Sequence, residues 1–264
     1  MSAIRKITVV FFLTVCLPVA GLCDTAGAAT CDAGTPRKAE MRSLLNIYSA
    51  FTDEYFNNVL RGLRLLASTH EVGSGRWDDM KGLLTEFDKS GIAAAAVWYA
   101  RPDGSYYTVE KGRAAEALAD RPYFHELMAG NDITGYLVIS RSTGKRSAVF
   151  AVPVKRGGRV IGALGVSLSV DEASRMLNKK MELPKDFVFY ALDKEGRVSL
   201  HWKPELIFEY PSDLGSKTLD EAVAKMMSER EGEVSYEFQG RKVIYFKRSP
   251  LTGWVYALGI VTNP

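Results

Sequence analysis

Histidine and cysteine, from which many enzymes and metalloproteins build their sites, are scarce in this chain. Its 264 residues include three of each. His70, His125 and His201 stand in separate segments with no spacing typical of metal ligands, and we expect each to be an ordinary surface residue. Walker, CxxC, HExxH and GxSxG motifs are also missing. The sequence therefore predicts no catalytic residue, no metal site and no cofactor.

An excess of charge of one sign is missing too. The chain has 34 Lys and Arg against 31 Asp and Glu, a formal net charge of +3. Outside ordinary turns, basic residues never run beyond a pair. Because phosphate backbones are bound by a concentrated basic face, a nucleic-acid partner is not expected.

No apolar run reaches the length of about 20 residues that a membrane span needs. The N-terminal run, residues 7–17, follows Arg5 and Lys6 and precedes the small residues Ala26-Gly27-Ala28. This arrangement is typical of a secretory signal peptide, which we place at residues 1–28. We expect a periplasmic or secreted protein; the alternative is an uncleaved leader that tethers it to the membrane.

Stability of the mature chain must come from packing. Cleavage after residue 28 would leave Cys31 as the single cysteine, so no internal disulfide could form. With 47% hydrophobic residues, the chain can bury one large core or two modest ones.

The chain contains an internal repeat, which favours two cores. Ala163-Leu164-Gly165-Val166 returns as Ala257-Leu258-Gly259-Ile260, 94 positions later. Gly-centred turns at 143–145 and 239–241, and Asp-to-Gly turns at 102–104 and 193–196, follow the same order. Three landmarks at nearly constant offset indicate tandem copies of one small domain. Asp103 and Asp193 precede glycine in these last two turns, where Asp is a common turn residue. We therefore do not interpret them as catalytic acids.

One long amphipathic helix is predicted over residues 38–69, because apolar residues recur there at three- and four-residue steps. At about 1.5 Å per residue, this helix is far longer than a small domain needs. We therefore expect a helical spine, residues 29–90, laid along both domains, with a second helix over 78–89.

Each repeat predicts an antiparallel sheet flanked by helices, in an α+β fold. Its last three strands are joined by turns too short for a parallel crossover. The first domain spans residues 91–180 and the second 181–264. The predicted strands cover 92–99, 105–109, 135–140, 147–155, 160–169, 187–193, 198–202, 233–238, 242–248 and 254–261, and the predicted helices cover 114–118, 123–128, 171–180 and 219–229.

One local cluster is suited to binding an anion. In Asp120-Arg121-Pro122-Tyr123-Phe124, a guanidinium stands beside two aromatic residues at the start of a predicted helix. A guanidinium can hold a carboxylate through two parallel hydrogen bonds, and aromatic walls exclude water. The structural alternative is an ion pair between Arg121 and a nearby acid, Asp120 or Glu126.

Taken together, these elements resemble the Cache family of extracytoplasmic sensor domains. The resemblance rests on 97–104, Arg121 to Phe124, 140–144, "VPV" at 152–154 and "VIGALGVSLSVD" at 160–171, and on the Gly253-Trp254 pair of the second block. It covers nearly the whole mature chain. It implies a double Cache protein with a ligand pocket in the first, membrane-distal domain, a membrane-proximal second domain, and no catalytic activity.

The family's amino-acid sensors carry Arg-x-Trp-Tyr, followed later by an Asp that holds the ligand ammonium. This sequence keeps Arg121 but has Tyr123 and Phe124 at the aromatic positions, and it offers Ser167 in place of the acid. An ammonium group buried there would be unpaired, which is costly. The resemblance therefore favours a small organic acid as ligand, with an amino acid or amine as the alternative.

Strands predicted to face Arg121 supply the remaining pocket candidates. Trp98 and Tyr107 lie on the first two strands, and Tyr136 and Ser140 on the third. For each of them, and above all for Trp98, a place in the core is the alternative. Tyr99 alternates with Trp98 and should face the other side of the sheet. Trp254 matches the family's structural Gly-Trp and is interpreted as core.

The chain printed here ends at Pro264, just after the last predicted strand. We therefore expect any signal to pass through a partner, either a membrane receptor or a kinase. A rival hypothesis is an exported hydrolase on the same scaffold, in which Ser140, Ser142 or Thr143 would act with His125.

Overall fold

The computed structural model describes residues 34–262, and side chains within 38–261. The predicted signal peptide, residues 1–28, and Cys31 lie outside this range. Among residues 34–262, no helix is both long and apolar enough to cross a membrane.

The predicted long helix is present as α1, Gly34–Ala67. One face is buried from Met41 to Leu63 because apolar residues recur at helical spacing; it includes Met41, Leu45, Phe56, Val59, Leu60 and Leu63. Two shorter helices follow, α2 at His70–Gly73 and α3 at Trp77–Asp88. The second of these matches the helix predicted over 78–89.

The first sheet is six-stranded and antiparallel. Its strands are β1 Ala94–Ala100, β2 Ser105–Thr108, β3 Gly112–Ala117, β4 Ile133–Ile139, β5 Arg146–Arg156 and β6 Arg159–Ser169. They lie side by side in the order β3-β2-β1-β6-β5-β4. Helix α4, Pro122–Met128, precedes β4, and α5, Val170–Met181, leaves the sheet after β6.

One predicted element of this domain is wrong. Residues 114–118 form most of edge strand β3 instead of a helical turn. The alanines there favour a helix, but Gly112 ends a tight turn that directs the chain back along β2, where Tyr107 pairs with Arg113. Pairing with the sheet outweighs local propensity in so short a segment.

The second sheet repeats this order with five strands. They are β7 Phe187–Leu192, β8 Val198–His201, β9 Glu231–Glu237, β10 Arg241–Arg248 and β11 Val255–Thr262, arranged β8-β7-β11-β10-β9. Helix α6, Lys217–Ser228, begins at Ser216, whose hydroxyl accepts from the Leu219 amide at 3.3 Å. Two 3-10 turns that the sequence analysis did not predict, Pro204–Leu206 and Pro211–Leu214, lie between β8 and α6.

The repeated Ala-Leu-Gly segment occupies the corresponding central strands, β6 and β11. A Cβ atom at Gly165 would overlap the Trp98 ring, and one at Gly259 would overlap Ile244 and the Val243 carbonyl. The glycine is therefore needed in both copies for close packing against the neighbouring strand. The two Asp-Gly turns also match, since Asp103 accepts from the Ser105 amide and Asp193 from the Glu195 amide, each at 2.9 Å.

Helix α1 packs against both sheets and joins their cores. The Phe56 ring stacks on Phe150 of the first sheet, with centroids 4.8 Å apart, and meets Trp254 of the second edge-on at 5.4 Å. Trp254 is 1% exposed, and its indole Nε1 donates to the Gly135 carbonyl on β4 at 3.1 Å. The two domains are thus held together by one continuous apolar core.

Candidate functional site

The start of α4 fixes the position of Arg121. Proline occupies the first position of this helix, and Arg121 precedes it with extended backbone angles (φ −75°, ψ 131°). A residue before proline is pushed out of helical geometry. The Arg121 side chain therefore leaves the helix end toward β4, while the following Tyr123 and Phe124 are buried.

Arg121 keeps part of its hydrogen-bonding capacity unused. Its Nη2 donates to the Ile139 carbonyl at 3.0 Å. Its Nε is buried and has no hydrogen-bond partner among the described residues. A buried donor without an acceptor is costly, about 1–3 kcal/mol or more for a charged group. An acceptor supplied by a ligand would remove that cost.

The acids proposed as structural partners of Arg121 are engaged elsewhere. Asp120 receives two hydrogen bonds from Arg141, at 2.7 and 2.6 Å, and these hold the pKa of its carboxyl below the ordinary value. Glu126 accepts from the Asn131 amide at 2.8 Å. The Arg121 side chain forms no ion pair within residues 38–261, so the ion-pair alternative loses its support.

Arg121 borders a narrow cavity of about 10 Å³ between the first sheet and the start of α4, which is room for about one water molecule. Its walls combine aromatic, aliphatic, hydroxyl and guanidinium side chains. They come from Trp98, Tyr106, Leu118, Arg121, Tyr123, Val138, Ser140, Arg141, Ser142 and Ser167. Arg141 is paired with Asp120 at 2.6 Å and with Glu116 at 3.2 Å, so Arg121 is the guanidinium of this lining with a donor to spare. A ligand larger than water needs the lining side chains to move apart.

Neutral hydrogen-bonding groups surround the two guanidinium groups. Burial raises the pKa of Tyr123 to about 12, so its hydroxyl stays protonated at neutral pH and can donate to an anion. The Ser167 hydroxyl accepts from the Trp98 indole at 3.3 Å. The buried Ser140 hydroxyl lies 3.3 Å from that of Ser142.

Tyr107 does not lie in this cavity. It pairs with Tyr99 across β1 and β2 and stacks on Trp77 of α3, with ring centroids 5.2 Å apart. Its neighbour Tyr106 lines the cavity in its place. Side chains alternate along a strand, so the face of each residue depends on the register between β1 and β2, which the sequence alone does not fix.

Of the other predicted site residues, five line the cavity and two do not. Trp98, Arg121, Tyr123, Ser140 and Ser167 line the cavity. The two remaining candidates are displaced from it. Phe124 is buried in the core beside it, while Tyr136 packs against the Tyr123 ring at 5.4 Å from the adjoining cleft between the domains.

Five lining residues were not predicted as part of the site: Tyr106, Leu118, Val138, Arg141 and Ser142. Arg141 and Ser142 belong to the turn after β4, within the segment 140–144 on which the family resemblance rests. Ser142 begins the Ser-Thr-Gly turn of that segment, which was the available signal.

The cleft between the domains, about 360 Å³, is more polar. Arg197 of the second domain borders it, lies 3.2 Å from Asp193 and donates to the Leu137 carbonyl on β4 at 3.4 Å. Because Arg197 is already engaged by Asp193 and by the first sheet, we interpret the cleft as an interface rather than a preformed ligand pocket.

Neither metal chemistry nor the proposed hydrolase arrangement finds support in the geometry. Groups of three or more metal-ligating side chains are absent from the part of the chain that is described. His125 is exposed, and the Ser140 and Ser142 hydroxyls contact one another. Within residues 38–261, no hydrogen bond joins either hydroxyl to His125.

His201 is not the surface residue that the sequence suggested. It is half-buried at the end of β8, and its Nδ1 accepts from the Lys203 amide at 2.8 Å. Burial, together with the charges of Lys203 and Lys242, lowers the pKa of His201 to about 4. The imidazole is therefore neutral in the folded protein at pH 7.

This histidine should make folding sensitive to acid. Its folded pKa lies below the unfolded value of about 6.5, so its contribution is complete above pH 6.5 and is lost as the pH falls toward 4. We expect the fall in melting temperature between pH 7.5 and pH 4.5 to be smaller in His201→Asn, whose amide oxygen can still accept from Lys203. Parallel melting curves for variant and wild type across this range would count against this explanation.

The fold and the cavity define a class of protein. A long helix along two tandem PAS-like units, with a cation-lined cavity in the first, is the architecture of an extracytoplasmic sensor domain. The chain belongs to the Cache domain family, whose double Cache profile matches residues 37–263. This match confirms the family resemblance and the fold class predicted from the sequence.

Similarity to individual proteins agrees with this membership. The C4-dicarboxylate transport sensor protein DctB of Pseudomonas aeruginosa is 24% identical over 179 residues, covering 62% of this chain and 27% of that protein. This chain thus spans about a quarter of the length of that relative.

Two solved structures share the fold at low sequence identity. The ligand-binding domain of the Pseudomonas aeruginosa amino acid chemoreceptor PctB, in complex with L-Arg, has a TM-score of 0.68 at 14% identity, over 86% of this chain and 95% of that one. The ligand-binding domain of the Pseudomonas fluorescens chemoreceptor CtaA, in complex with L-serine, has a TM-score of 0.67 at 13% identity, over 86% of this chain and 97% of that one. The chain is therefore a double Cache sensor domain similar to chemoreceptor ligand-binding domains.

Proposed function

We propose that this chain is an exported sensor module that binds a small organic acid in the first-domain cavity, with Arg121 as carboxylate anchor. The observation that carries the proposal is the buried Nε of Arg121, which has no acceptor in the described structure. A ligand carboxylate facing Nε and Nη2 would supply the missing acceptor, and its two oxygens would form the parallel pair of bonds that guanidinium favours.

The chemistry of the cavity favours an acid over an amino acid. The lining includes Arg121, whose Nε lacks an acceptor, and no carboxylate to receive an ammonium group, while the charge of Arg141 is balanced by Asp120 and Glu116. Ser167, at the position of the family's Asp, already accepts from Trp98. The related proteins point in both directions, since DctB is described as a C4-dicarboxylate sensor whereas PctB and CtaA are complexed with amino acids.

The signal would leave the module through a partner. We propose that residues 1–28 direct export to the periplasm or exterior, and that a membrane receptor or kinase reads the ligand-bound state. Nothing in the proposed role requires catalysis by the module itself. The cavity binds and releases its ligand unchanged.

Paired ligands test the ligand class directly. Succinate and aspartate share a carbon skeleton and differ by one ammonium group, as do propionate and alanine. We expect at least one acid to raise the melting temperature and to give a calorimetric binding isotherm, because a ligand bound only by the native state stabilises it. Its amino-acid counterpart should bind at least about tenfold more weakly, a difference of about 1.4 kcal/mol.

Stronger binding of aspartate or alanine than of the matched acid would overturn the choice of ligand class. It would favour the amino-acid alternative while leaving the sensor role intact. Lack of response to all of these, and to a wider set of acids, amino acids and amines, would count against the cavity as a binding site.

A further inference from the structure

A second cavity, larger than the first, lies in the second domain. It has a volume of about 110 Å³ and lies between the outer face of the second sheet, α6 and the two 3-10 turns. Its walls are mostly apolar and aromatic, and they include Leu206, Leu214, Val223, Trp202, Tyr236 and Phe238. This cavity belongs to a different sheet from the site at Arg121.

The charged groups of this cavity have one sign. Lys203 and Lys242 border it, and no Asp or Glu is among its lining residues. The Lys203 ammonium lies 5.1 Å from the Trp202 ring centroid and donates to the Gln239 side chain at 2.6 Å. Lys242, only 9% exposed, lies 5.7 Å from the Tyr236 ring centroid and 5.8 Å from that of Phe238. Both cations thus stand beside aromatic walls, and neither lies within 4.0 Å of a carboxylate in the described structure. The Lys242 ammonium donates to the carbonyls of Phe238, Gln239 and Gly240, so its three donors are used and it contributes only its charge.

Two polar side chains inside the cavity can orient a ligand. The Nδ1 of His201 is occupied as an acceptor by the Lys203 amide, so in the neutral ring the hydrogen is on Nε2, which is a donor. The Tyr236 hydroxyl donates to that of Tyr190 at 3.3 Å. Apolar walls with a few convergent polar groups are the usual form of a small-molecule site.

We propose that this cavity is a second binding site, for a carboxylate with an aromatic or branched apolar body. The body would lie against Trp202, Tyr236 and Val223, and the carboxylate would bind the Lys203 ammonium, with Lys242 adding a second positive charge nearby. A cationic amine of the same shape would meet two positive charges and no counterion. A neutral molecule would fill the walls but gain nothing from the ammonium groups.

Phenylacetate and phenethylamine form a suitable pair of probes, because both join a phenyl ring to one charged group. In calorimetric titrations of the full chain, we expect phenylacetate to bind and phenethylamine to bind at least about tenfold more weakly. Binding should persist in Arg121→Ala, since that residue lies in the other domain. Lys203→Gln should weaken it severalfold.

Filling the cavity provides the sharpest variant. Val223→Trp places an indole in the space that the ligand would use, whereas Ala224→Trp adds the same group at the next, exposed position of α6. Phenylacetate binding should be lost in the first and kept in the second, with similar melting temperatures for both. If Val223→Trp does not fold, Lys203→Gln alone carries the test.

Several results would overturn this site. They are no phenylacetate binding by the wild-type chain, equal binding of the amine, loss of binding in Arg121→Ala, unchanged binding in Lys203→Gln, and unchanged binding in a folded Val223→Trp. Loss of binding in Arg121→Ala would place phenylacetate in the first-domain site instead. The other results do not bear on that site, which its own paired ligands test.

Discussion

Arg121→Ala should weaken binding of the organic acid by a factor of about thirty or more. Removing one partner of a desolvated charged pair costs on the order of 2–5 kcal/mol, and the Arg121 Nε is buried where a carboxylate would meet it. Arg121→Lys should also lose much of the affinity, because one ammonium cannot form the two parallel bonds. Calorimetry with the acid that stabilises the wild type measures both effects.

Arg76→Ala is a matched control, since Arg76 is 76% exposed and pairs with Asp79 on the surface. It should leave affinity unchanged. Melting curves separate ligand binding from a structural role, because the Arg121 side chain forms one hydrogen bond within the described structure, to Ile139, and its loss should leave the chain folded. Unchanged affinity in a folded Arg121→Ala would rule out the anchor, and loss of folding would restore a structural role for this arginine.

Trp254→Ala should be the most destabilising single change and should affect both domains together. Large-to-small substitution of a buried tryptophan costs about 3–5 kcal/mol. This indole also fills the space between Phe56 and Gly135. Because α1 joins both cores, we expect one cooperative transition in chemical denaturation, observed equally by circular dichroism and tryptophan fluorescence.

Trp202→Ala serves as the control for this change. Trp202 is 48% exposed, and its removal should cost less than about 1 kcal/mol. A similar small loss in Trp254→Ala would show that the indole does not join the domains. Two separate transitions in the wild type would show that the cores unfold independently.

The sequence predicted the elements whose signal is local and periodic. The spacing of apolar residues in α1 specifies a buried stripe, and the repeated glycines mark strands where backbone and side chain lie close together. Edge strand β3 could not be predicted in the same way. Its residues are mostly exposed and rich in alanine, and its pairing with β2 depends on the turn before it.

The candidate site was predictable only where a motif carried it. Arg121 and Tyr123 stand out because proline fixes the geometry between them. The sequence predicted Tyr107 in the cavity, where the structure has Tyr106. Choosing between them requires the register of β2 against β1. The cavity beside His201 carries no motif, because its walls are brought together by two 3-10 turns and α6, far apart in sequence.

Strand β4 forms one edge of the first sheet, and three of its carbonyl oxygens, at alternate residues, receive donors from outside the sheet. Gly135 accepts from Trp254, Leu137 from Arg197 and Ile139 from Arg121. An uncovered edge invites pairing with another chain, and these three donors block it. They also make β4 a mechanical link between the domains. The strand that accepts the hydrogen bond of Arg121, the proposed ligand anchor, is also bonded to Trp254 and Arg197 of the second domain. A displacement of Arg121 on ligand binding would pull on a backbone that the second domain holds directly, without any intervening loop.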